Sequence, residues 1–232
     1  MLHYNNSSIT YVELDYLHTT DWTTKAKVVD YDMVIFDSYV DLFKPFTLEY
    51  GILRANTKND LRRVLSILIN HQNILDVFGL KSLNYGYPKK VRLVVKGIIG
   101  DSTRYLAHMY NGTEIGAHYK NGVEKWGFLF PNNEAADSFI NEISKHGKVI
   151  NVHKRQINNV GDYIELYGNK LSFILNDIEA HVLSYAYKKG FFDFPKKVLL
   201  KDLASDLGLS SVTVDRYIRS AVRKILKNIF EY

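Results

Sequence analysis

The chain has 232 residues, 46% of them hydrophobic, which is enough to bury one large core or two small ones. It contains no cysteine, which excludes a disulfide framework, a thiol nucleophile and a cysteine zinc site, and which suits a reducing compartment. The net charge of +5 is compatible with nucleic acid as a partner. The start of the chain lacks the pattern of a secretory leader, and no apolar run approaches the ~18 residues of a membrane span. We therefore expect a two-domain cytoplasmic protein that does not enter a membrane.

The first two thirds of the chain carry one order of predicted elements twice. Residues 9–16 alternate apolar and polar side chains as a half-buried strand does, and a similar run begins at Val91. A polar Asp-x-Thr element follows each run, at Asp21 and at Asp101. In the first copy the next elements are strands 31–39 and 46–54, a helix with Leu61 to Ile69 on its apolar face, and strand 74–78. In the second copy they are strands 115–119 and 124–130, a helix over 131–146, and strand 148–152.

The repeated order is close to the βαββαβ unit of a ferredoxin-like fold, in which two helices cover one face of an antiparallel sheet. The predicted fold class is α+β, with a duplicated ferredoxin-like antiparallel sheet domain over residues 1–157. Side-by-side copies of this unit can form a pocket or a pairing edge. The domain is therefore predicted to serve small-molecule sensing or dimerisation, with a scaffold that binds no ligand as the alternative.

A polar, glycine-containing stretch interrupts this pattern, and we place a linker at residues 158–170. An all-α domain is predicted to follow over 171–232. Asn176 and Glu179 have the spacing of a capping box directly before an apolar run, which predicts the start of a helix. Gly190 is the expected end of that helix.

Two more helices are predicted on either side of a short glycine turn. The first contains Leu200 to Leu207 and ends at Gly208, and the second begins after Ser210, a favoured N-cap residue. Helix, tight turn and helix in this order are typical of a DNA-reading motif, in which the second helix enters the major groove. Residues 171–232 are therefore predicted to form a helix-turn-helix domain.

Subtracting the apolar stripe of the last helix leaves a set of outward side chains near its N-terminal end, where base edges would be met. These candidate base-reading residues are Ser211, Val212, Thr213, Asp215, Arg216 and Arg219. Arg216 is the first choice, because arginine pairs bidentately with guanine. Candidate phosphate contacts are Lys196, Lys197, Lys201, Ser210 and Arg223. For each charged residue, the alternative is a solvated surface position.

The C-terminal segment resembles the archaeal bacterio-opsin-activator type of helix-turn-helix domain over about residues 171–228. The connector Lys-Gly-Phe-Phe-Asp-Phe-Pro-Lys-Lys, ending at Lys197, is its most specific part, and Leu-Ala-x-x-Leu-Gly-Leu-Ser from Leu203 continues it. The resemblance implies an archaeal transcription regulator with an N-terminal sensor or oligomerisation domain. It does not distinguish an activator from a repressor. The module is also similar to the fourth region of bacterial sigma factors, which leaves open a contact with RNA polymerase or a basal transcription factor.

Other chemistry has little support in the sequence. The nearest pair among the eight histidines, His146 and His153, has no third ligand at ordinary spacing, so we expect no metal site, no cofactor and no catalytic residue. The element that begins at His18 and includes Trp22 is similar to a His-x-x-x-Trp-Thr element of the same family. Together with Trp126 in the second copy, these two residues form a candidate ligand pocket.

Two functions follow from these observations. The leading hypothesis is a sequence-specific regulator that binds double-stranded DNA as a homodimer and responds to a small-molecule effector. The alternative is a small-molecule- or RNA-binding module whose C-terminal helices mediate protein interaction. Enzyme activity is not expected.

Overall fold

The computed structural model describes residues 9–158, 162, 166 and 175–230. The chain divides into two compact units, Met1–Tyr163 and Ile164–Tyr232. The division falls within the predicted linker, most of which lies outside the described residues. Among the helices that are described, none is both long enough and apolar enough to cross a membrane.

The first unit is an α+β domain built on one antiparallel sheet of eight strands. Its strands are β1 (Ile9–His18), β2 (Tyr31–Asp41), β3 (Phe46–Ala55), β4 (Ile74–Ser82), β5 (Lys89–Ile98), β6 (Thr113–Lys120), β7 (Val123–Phe130) and β8 (Gly147–Ile157). Its helices are α1 (Trp22–Lys25), α2 (Lys58–Ile69), α3 (Thr103–Met109) and α4 (Asn133–Ile143). The order β-α-β-β-α-β therefore occurs twice along the chain, as the sequence predicts.

The strand order across the sheet is β4-β5-β3-β2-β6-β7-β1-β8, and it differs from the expected pair of ferredoxin-like units. In such a unit the first strand lies between the third and fourth strands of its own copy. Here β5 lies between β3 and β4, while β1 lies between β7 and β8, so the two copies have exchanged their first strands. The loop 83–88 makes β4 and β5 an antiparallel pair of consecutive strands, which costs little closure entropy.

The exchange leaves the sheet with an approximate two-fold relationship between the copies. Replacing every strand by its counterpart in the other copy reverses the strand order and leaves it otherwise unchanged. The two halves meet where β2 pairs with β6, with Met33 opposite Tyr119 and Ile35 opposite Ala117. Each half of the sheet therefore contains strands from both copies.

The hydrophobic core lies between one face of this sheet and the helices. Alternate residues of the strands are buried, including Leu14 on β1 and Phe128 on β7, as expected for a sheet with one covered face. Phe139 of α4 packs edge-on against Phe128, with ring centroids 5.1 Å apart. The equivalent helices α2 and α4 begin at equivalent N-caps, Thr57 and Asn132.

In its described part, the second unit contains the helices α5 (Asp177–Lys188), α6 (Leu200–Asp206) and α7 (Ser211–Phe230). Their shared core consists of Val182, Ala186, Leu203, Ala204, Val214 and Ile218. The predicted capping box is confirmed, because the Glu179 amide donates to Asn176 at 2.8 Å and the Asn176 amide donates to Glu179 at 3.0 Å. Gly190 follows α5 with φ +77°, a left-handed conformation that glycine adopts without strain.

Candidate functional site

The helices α6 and α7 form a helix-turn-helix. Gly208 has φ +63° in the turn between them, which favours glycine at this position. The hydroxyl of Ser210 accepts a hydrogen bond from the Thr213 amide at 3.1 Å and so caps α7. Because Leu203 of α6 and Val214 of α7 are fully buried in the same core, α6 braces the N-terminal part of α7. This is how the first helix of a DNA-reading motif supports the second.

The predicted base-reading residues lie at the N-terminal half of α7 and differ in exposure. Val212 is 80% exposed, and the side chain of Arg219 is 79% exposed. Arg216 is also exposed and lies over the ring of Tyr217, with its guanidinium carbon 5.4 Å from the ring centroid. Three residues are half-buried, namely Ser211, Thr213 and Asp215. The surface therefore offers two arginines, one of which, Arg219, donates to the Asp215 carboxylate at 2.7 Å.

The predicted phosphate-contacting residues have different local partners. The ammonium group of Lys196 lies 4.3 Å from the ring centroid of Phe191, and Lys197 pairs with Asp193 at 2.7 Å. Lys201 on α6 and Arg223 on α7 are exposed. The Ser210 hydroxyl serves as the helix cap described above, which makes it part of the helix terminus rather than a freely rotating side chain.

A buried carboxylate connects α5 to α7, and sequence reasoning assigned it only a capping role. Glu179 is 3% exposed and accepts hydrogen bonds from Lys224 at 2.6 and 2.7 Å and from Ser220 at 2.6 Å. Burial acts to raise the pKa of the Glu179 carboxyl, but these hydrogen bonds outweigh it and hold the pKa below its usual value. The same carboxylate thus caps α5 and positions the helix that carries the reading residues.

Residues 175–227 match the family model HTH_10, described as HTH DNA binding domain. The resemblance to the bacterio-opsin-activator type is thereby confirmed, and the domain is a DNA-binding helix-turn-helix typical of transcription regulators. Searches among curated proteins and among solved structures gave no significant match.

The first unit contains a cleft that brings together the three residues of the predicted pocket, His18, Trp22 and Trp126. The cleft encloses about 400 Å³ including its open mouth. Four carboxylates also line it, and Arg104 is the one lysine or arginine among its lining residues. The lining carboxylates are Asp21, Glu49, Asp101 and Glu124. The two tryptophans are 2% and 3% exposed, because they also form part of the core.

Arg104 lines the cleft, is 5% exposed and is already paired twice. Its guanidinium donates to Glu49 at 2.5 Å and to Glu114 at 2.8 Å, and a third hydrogen bond reaches the Tyr119 hydroxyl at 3.2 Å. Burial raises the pKa of Glu49, against the opposing effect of Arg104. Glu49 and Glu114 share the positive charge of Arg104. Arg104 therefore does not compensate the charges of the other carboxylates of the cleft, Asp21, Asp101 and Glu124.

Glu124 is the most deeply buried acid of the cleft, at 1% exposure. It accepts hydrogen bonds from the Thr23 hydroxyl at 2.7 Å and from the Trp126 indole at 3.0 Å. Burial raises the pKa of its carboxyl well above the usual range, and the nearby Asp21 carboxylate raises it further. Burial and the neighbouring Asp21 carboxylate thus disfavour the charged form of Glu124, and a cation bound beside it would oppose this effect.

Sequence reasoning missed the carboxylates of this cleft, although a signal exists. Glu49 and Glu124 occupy inward positions in strands whose other inward residues are almost all apolar, such as Leu53 and Phe128. A charged residue at an inward position is rarely buried without a partner. Applied to β3 and β7, this rule would have marked both glutamates as candidate site residues.

Proposed function

We propose that this protein is an archaeal sequence-specific transcription regulator that binds double-stranded DNA through the N-terminal half of α7. The observation that carries the proposal is the exposure of Arg216 and Arg219 on the second helix of a motif that matches a DNA-binding family. A helix of this kind fits the major groove, where arginine can donate two hydrogen bonds to guanine.

The lysines around α6 support the same orientation of the motif on DNA. Lys196, Lys197 and Lys201 lie in the connector before α6 and on α6 itself, the part of the motif that crosses the DNA backbone. Contacts of lysine with phosphate fix orientation and register, whereas contacts of α7 with base edges specify sequence.

For the first unit we propose dimerisation and ligand sensing. The strand β4 lies at an edge of the sheet and exposes Leu75, Phe78 and Leu80, so it offers an apolar edge for pairing with a second copy. The cleft around His18 and Trp126 offers a place for an effector. A contact with RNA polymerase or a basal transcription factor remains a prediction from the sigma-like sequence pattern.

The test is selection of bound duplexes from a random DNA pool by the full chain, followed by gel-shift titration of the selected site. We expect one preferred motif, arranged as an inverted repeat with half-sites about 10 base pairs apart if the protein is a dimer. Arg216→Ala should weaken binding to that site about 10- to 100-fold, because each bidentate arginine-guanine contact contributes about 1–3 kcal/mol.

The matched control is Arg63→Ala, which removes an exposed arginine from α2 in the first unit. It should leave the affinity for the selected site unchanged. If no motif is enriched, and the combined Arg216→Ala and Arg219→Ala variant binds DNA like the parent, the proposal fails. Retention of a small molecule by such a protein would then favour the alternative of a ligand-binding module with C-terminal helices that contact another protein.

A further inference from the structure

We propose that His18, Asp21 and Glu124 bind a divalent transition-metal ion. One potential ligand atom from each of these side chains lies within 4.8 Å of the other two. His18 ends β1 and Asp21 follows it, whereas Glu124 belongs to β7, and the exchanged position of β1 beside β7 is what brings them together. The inference concerns binding of the ion itself and does not rest on the proposed recognition of DNA.

The imidazole of His18 is held between two carboxylates. Its Nε2 lies 3.1 Å from an oxygen of Asp101, at hydrogen-bond distance. A histidine that donates Nε2–H to a carboxylate presents the lone pair of Nδ1 on its other side, and metal-ligating histidines are commonly held in this way. Nδ1 lies 3.8 Å from Glu124 Oε1, which is too long for a hydrogen bond. Two ligands at about 2.1 Å from one ion can span such a distance.

The carboxylate of Glu124 is also held in place by hydrogen bonds. Thr23 and Trp126 each donate a hydrogen bond to one of its oxygens. These donors fix the plane of the carboxylate while leaving further lone pairs on both oxygens, and such outer contacts orient metal ligands. Asp21, partly exposed on the loop after β1, completes the set from the side of the solvent.

Among the lining residues of the cleft, no lysine or arginine pairs with Asp21 or Glu124. Among its lining residues the one lysine or arginine is Arg104, which already donates to Glu49 and Glu114. Asp21 and Glu124 therefore lie close together, and His18 supplies a nitrogen ligand beside them. A divalent ion compensates two carboxylates at once, which a single buried histidine does not.

A second observation concerns buried hydroxyl groups in and near the cleft. The hydroxyl of Thr103 is buried, lines the same cleft, and has no hydrogen-bond partner among the described residues. The buried hydroxyl of Tyr31, whose ring packs against Trp22, is unpartnered in the same sense. Buried hydroxyls without partners are rare. Water molecules carried by a bound ion can supply partners for such groups.

The ligand types indicate which ions fit. One imidazole nitrogen with two carboxylate oxygens suits Mn²⁺, Fe²⁺, Co²⁺ or Zn²⁺, whereas Mg²⁺ and Ca²⁺ prefer oxygen ligands alone. The three proposed ligands cannot be recognised from their spacing in the sequence, because Glu124 lies in the other copy of the repeat.

The test is titration of the full chain, stripped of metal by a chelator, with Co²⁺ alone. Binding is followed by calorimetry and by the visible absorption of protein-bound Co²⁺, with Zn²⁺ and Mn²⁺ as further probes and Mg²⁺ as a comparison. We expect saturable binding of one ion per chain, displacement by Zn²⁺, and at least tenfold weaker binding of Mg²⁺. Glu124→Gln should reduce the Co²⁺ affinity more than tenfold.

Asp101→Asn tests the positioning role of Asp101, and should reduce the affinity about 10- to 100-fold while keeping the one-to-one stoichiometry. Glu13→Gln is the matched control, since Glu13 lies on the same strand as His18 but pairs with Lys125 outside the cleft. Thermal unfolding without metal shows whether each variant is folded.

Absence of saturable binding of Co²⁺, Zn²⁺ and Mn²⁺ by the parent chain would overturn the assignment, and so would a folded Glu124→Gln variant with parental affinity. Saturable binding of a small diamine in place of these metals would assign the cleft to organic cations instead and would also overturn it. None of these measurements involves DNA, so their failure is distinct from failure of the proposed regulatory function.

Discussion

Glu179 at the start of α5 accepts two hydrogen bonds from the ammonium group of Lys224, which lies in the second half of α7. The carboxylate is buried, while the lysine side chain is 41% exposed. This pair therefore connects the first helix of the C-terminal domain to the helix proposed to read DNA, and several consequences of it can be measured.

Removal of the Glu179 charge should destabilise the C-terminal domain. Glu179→Gln weakens the capping box and the hydrogen bond to Lys224, and we expect a loss of about 1–3 kcal/mol in the free energy of unfolding. Urea unfolding of the full chain, followed by a probe in the C-terminal domain, measures the loss. A double-mutant cycle with Lys224→Met should give a coupling energy, and additivity of the two substitutions would contradict the pairing.

The same carboxylate predicts a pH dependence of stability. Since the folded state holds the pKa of Glu179 below its usual value, the stabilisation is fully present above the unfolded pKa of about 4.3 and is lost as the pH falls through the folded pKa. The stability difference between the parent and Glu179→Gln should therefore shrink as the pH is lowered from 6 toward 3. A difference independent of pH would show that the charge of Glu179 does not stabilise the fold.

The pair between Asp215 and Arg219 predicts a gain of DNA affinity. Asp215→Asn releases Arg219 and removes a negative charge from the reading surface, so binding to a non-specific duplex should strengthen about threefold at low salt. Gel-shift titration measures the change. Asp137→Asn, which removes an equal charge from an exposed pair with Lys154 in the first unit, should have no such effect. Equal behaviour of the two variants would contradict a role for Asp215 at the interface.

The lysines near α6 predict a change in salt dependence. Replacing Lys196 and Lys201 by alanine should weaken binding to all sequences alike and reduce the slope of log K against log salt by about 0.9 for each phosphate that a lysine no longer neutralises. Affinities at several salt concentrations give this slope. The variant with Lys44 and Lys58 replaced, both exposed in the first unit, controls for net charge. An unchanged slope in the first variant would exclude these lysines as phosphate ligands.

The buried network around Arg104 predicts a large loss of stability in the first unit. Arg104→Met leaves Glu49 and Glu114 buried without their shared cation, and we expect a loss of about 3–5 kcal/mol. Adding Glu49→Gln and Glu114→Gln should restore part of it, because the uncompensated charges are then removed. Arg63→Met, at an exposed position, should change the stability by less than about 0.5 kcal/mol. If the added substitutions do not reduce the loss of stability, the lost packing of the Arg104 side chain, and not the unpaired charges, causes most of that loss.

Local chemistry explains which features could be predicted from the sequence. Asn176 and Glu179 predict a helix start, and Gly208 followed by Ser210 predicts the turn and the cap of α7, because each of these residues acts on its own backbone neighbourhood. The alternation in β1 and β5 likewise depends only on nearby residues. These signals are sufficient for the element order and for the helix-turn-helix.

Strand order was not predictable in the same way, since it depends on pairing between residues far apart in the chain. The sequence shows that β1 is a strand, but the position of Leu14 between Trp126 and Val152 as strand neighbours is a property of the whole sheet. The contacts of His18 with Asp101 and Glu124 follow from that order. The position of the cleft's carboxylates relative to one another therefore could not be predicted from motifs, although the sequence does predict three residues of the cleft, His18, Trp22 and Trp126.

The exchange of first strands also has a consequence for synthesis of the protein. Because β1 lies between β7 and β8, it lacks its first partner until Phe130 has left the ribosome and its second until Ile157 has. At about 5–20 residues per second, this first strand waits on the order of ten seconds with its apolar side chains uncovered. The two copies of the first unit therefore cannot fold one after the other during synthesis. In a nascent chain that stalls between the copies, β1 stays exposed, and chaperones or a second nascent chain can bind it.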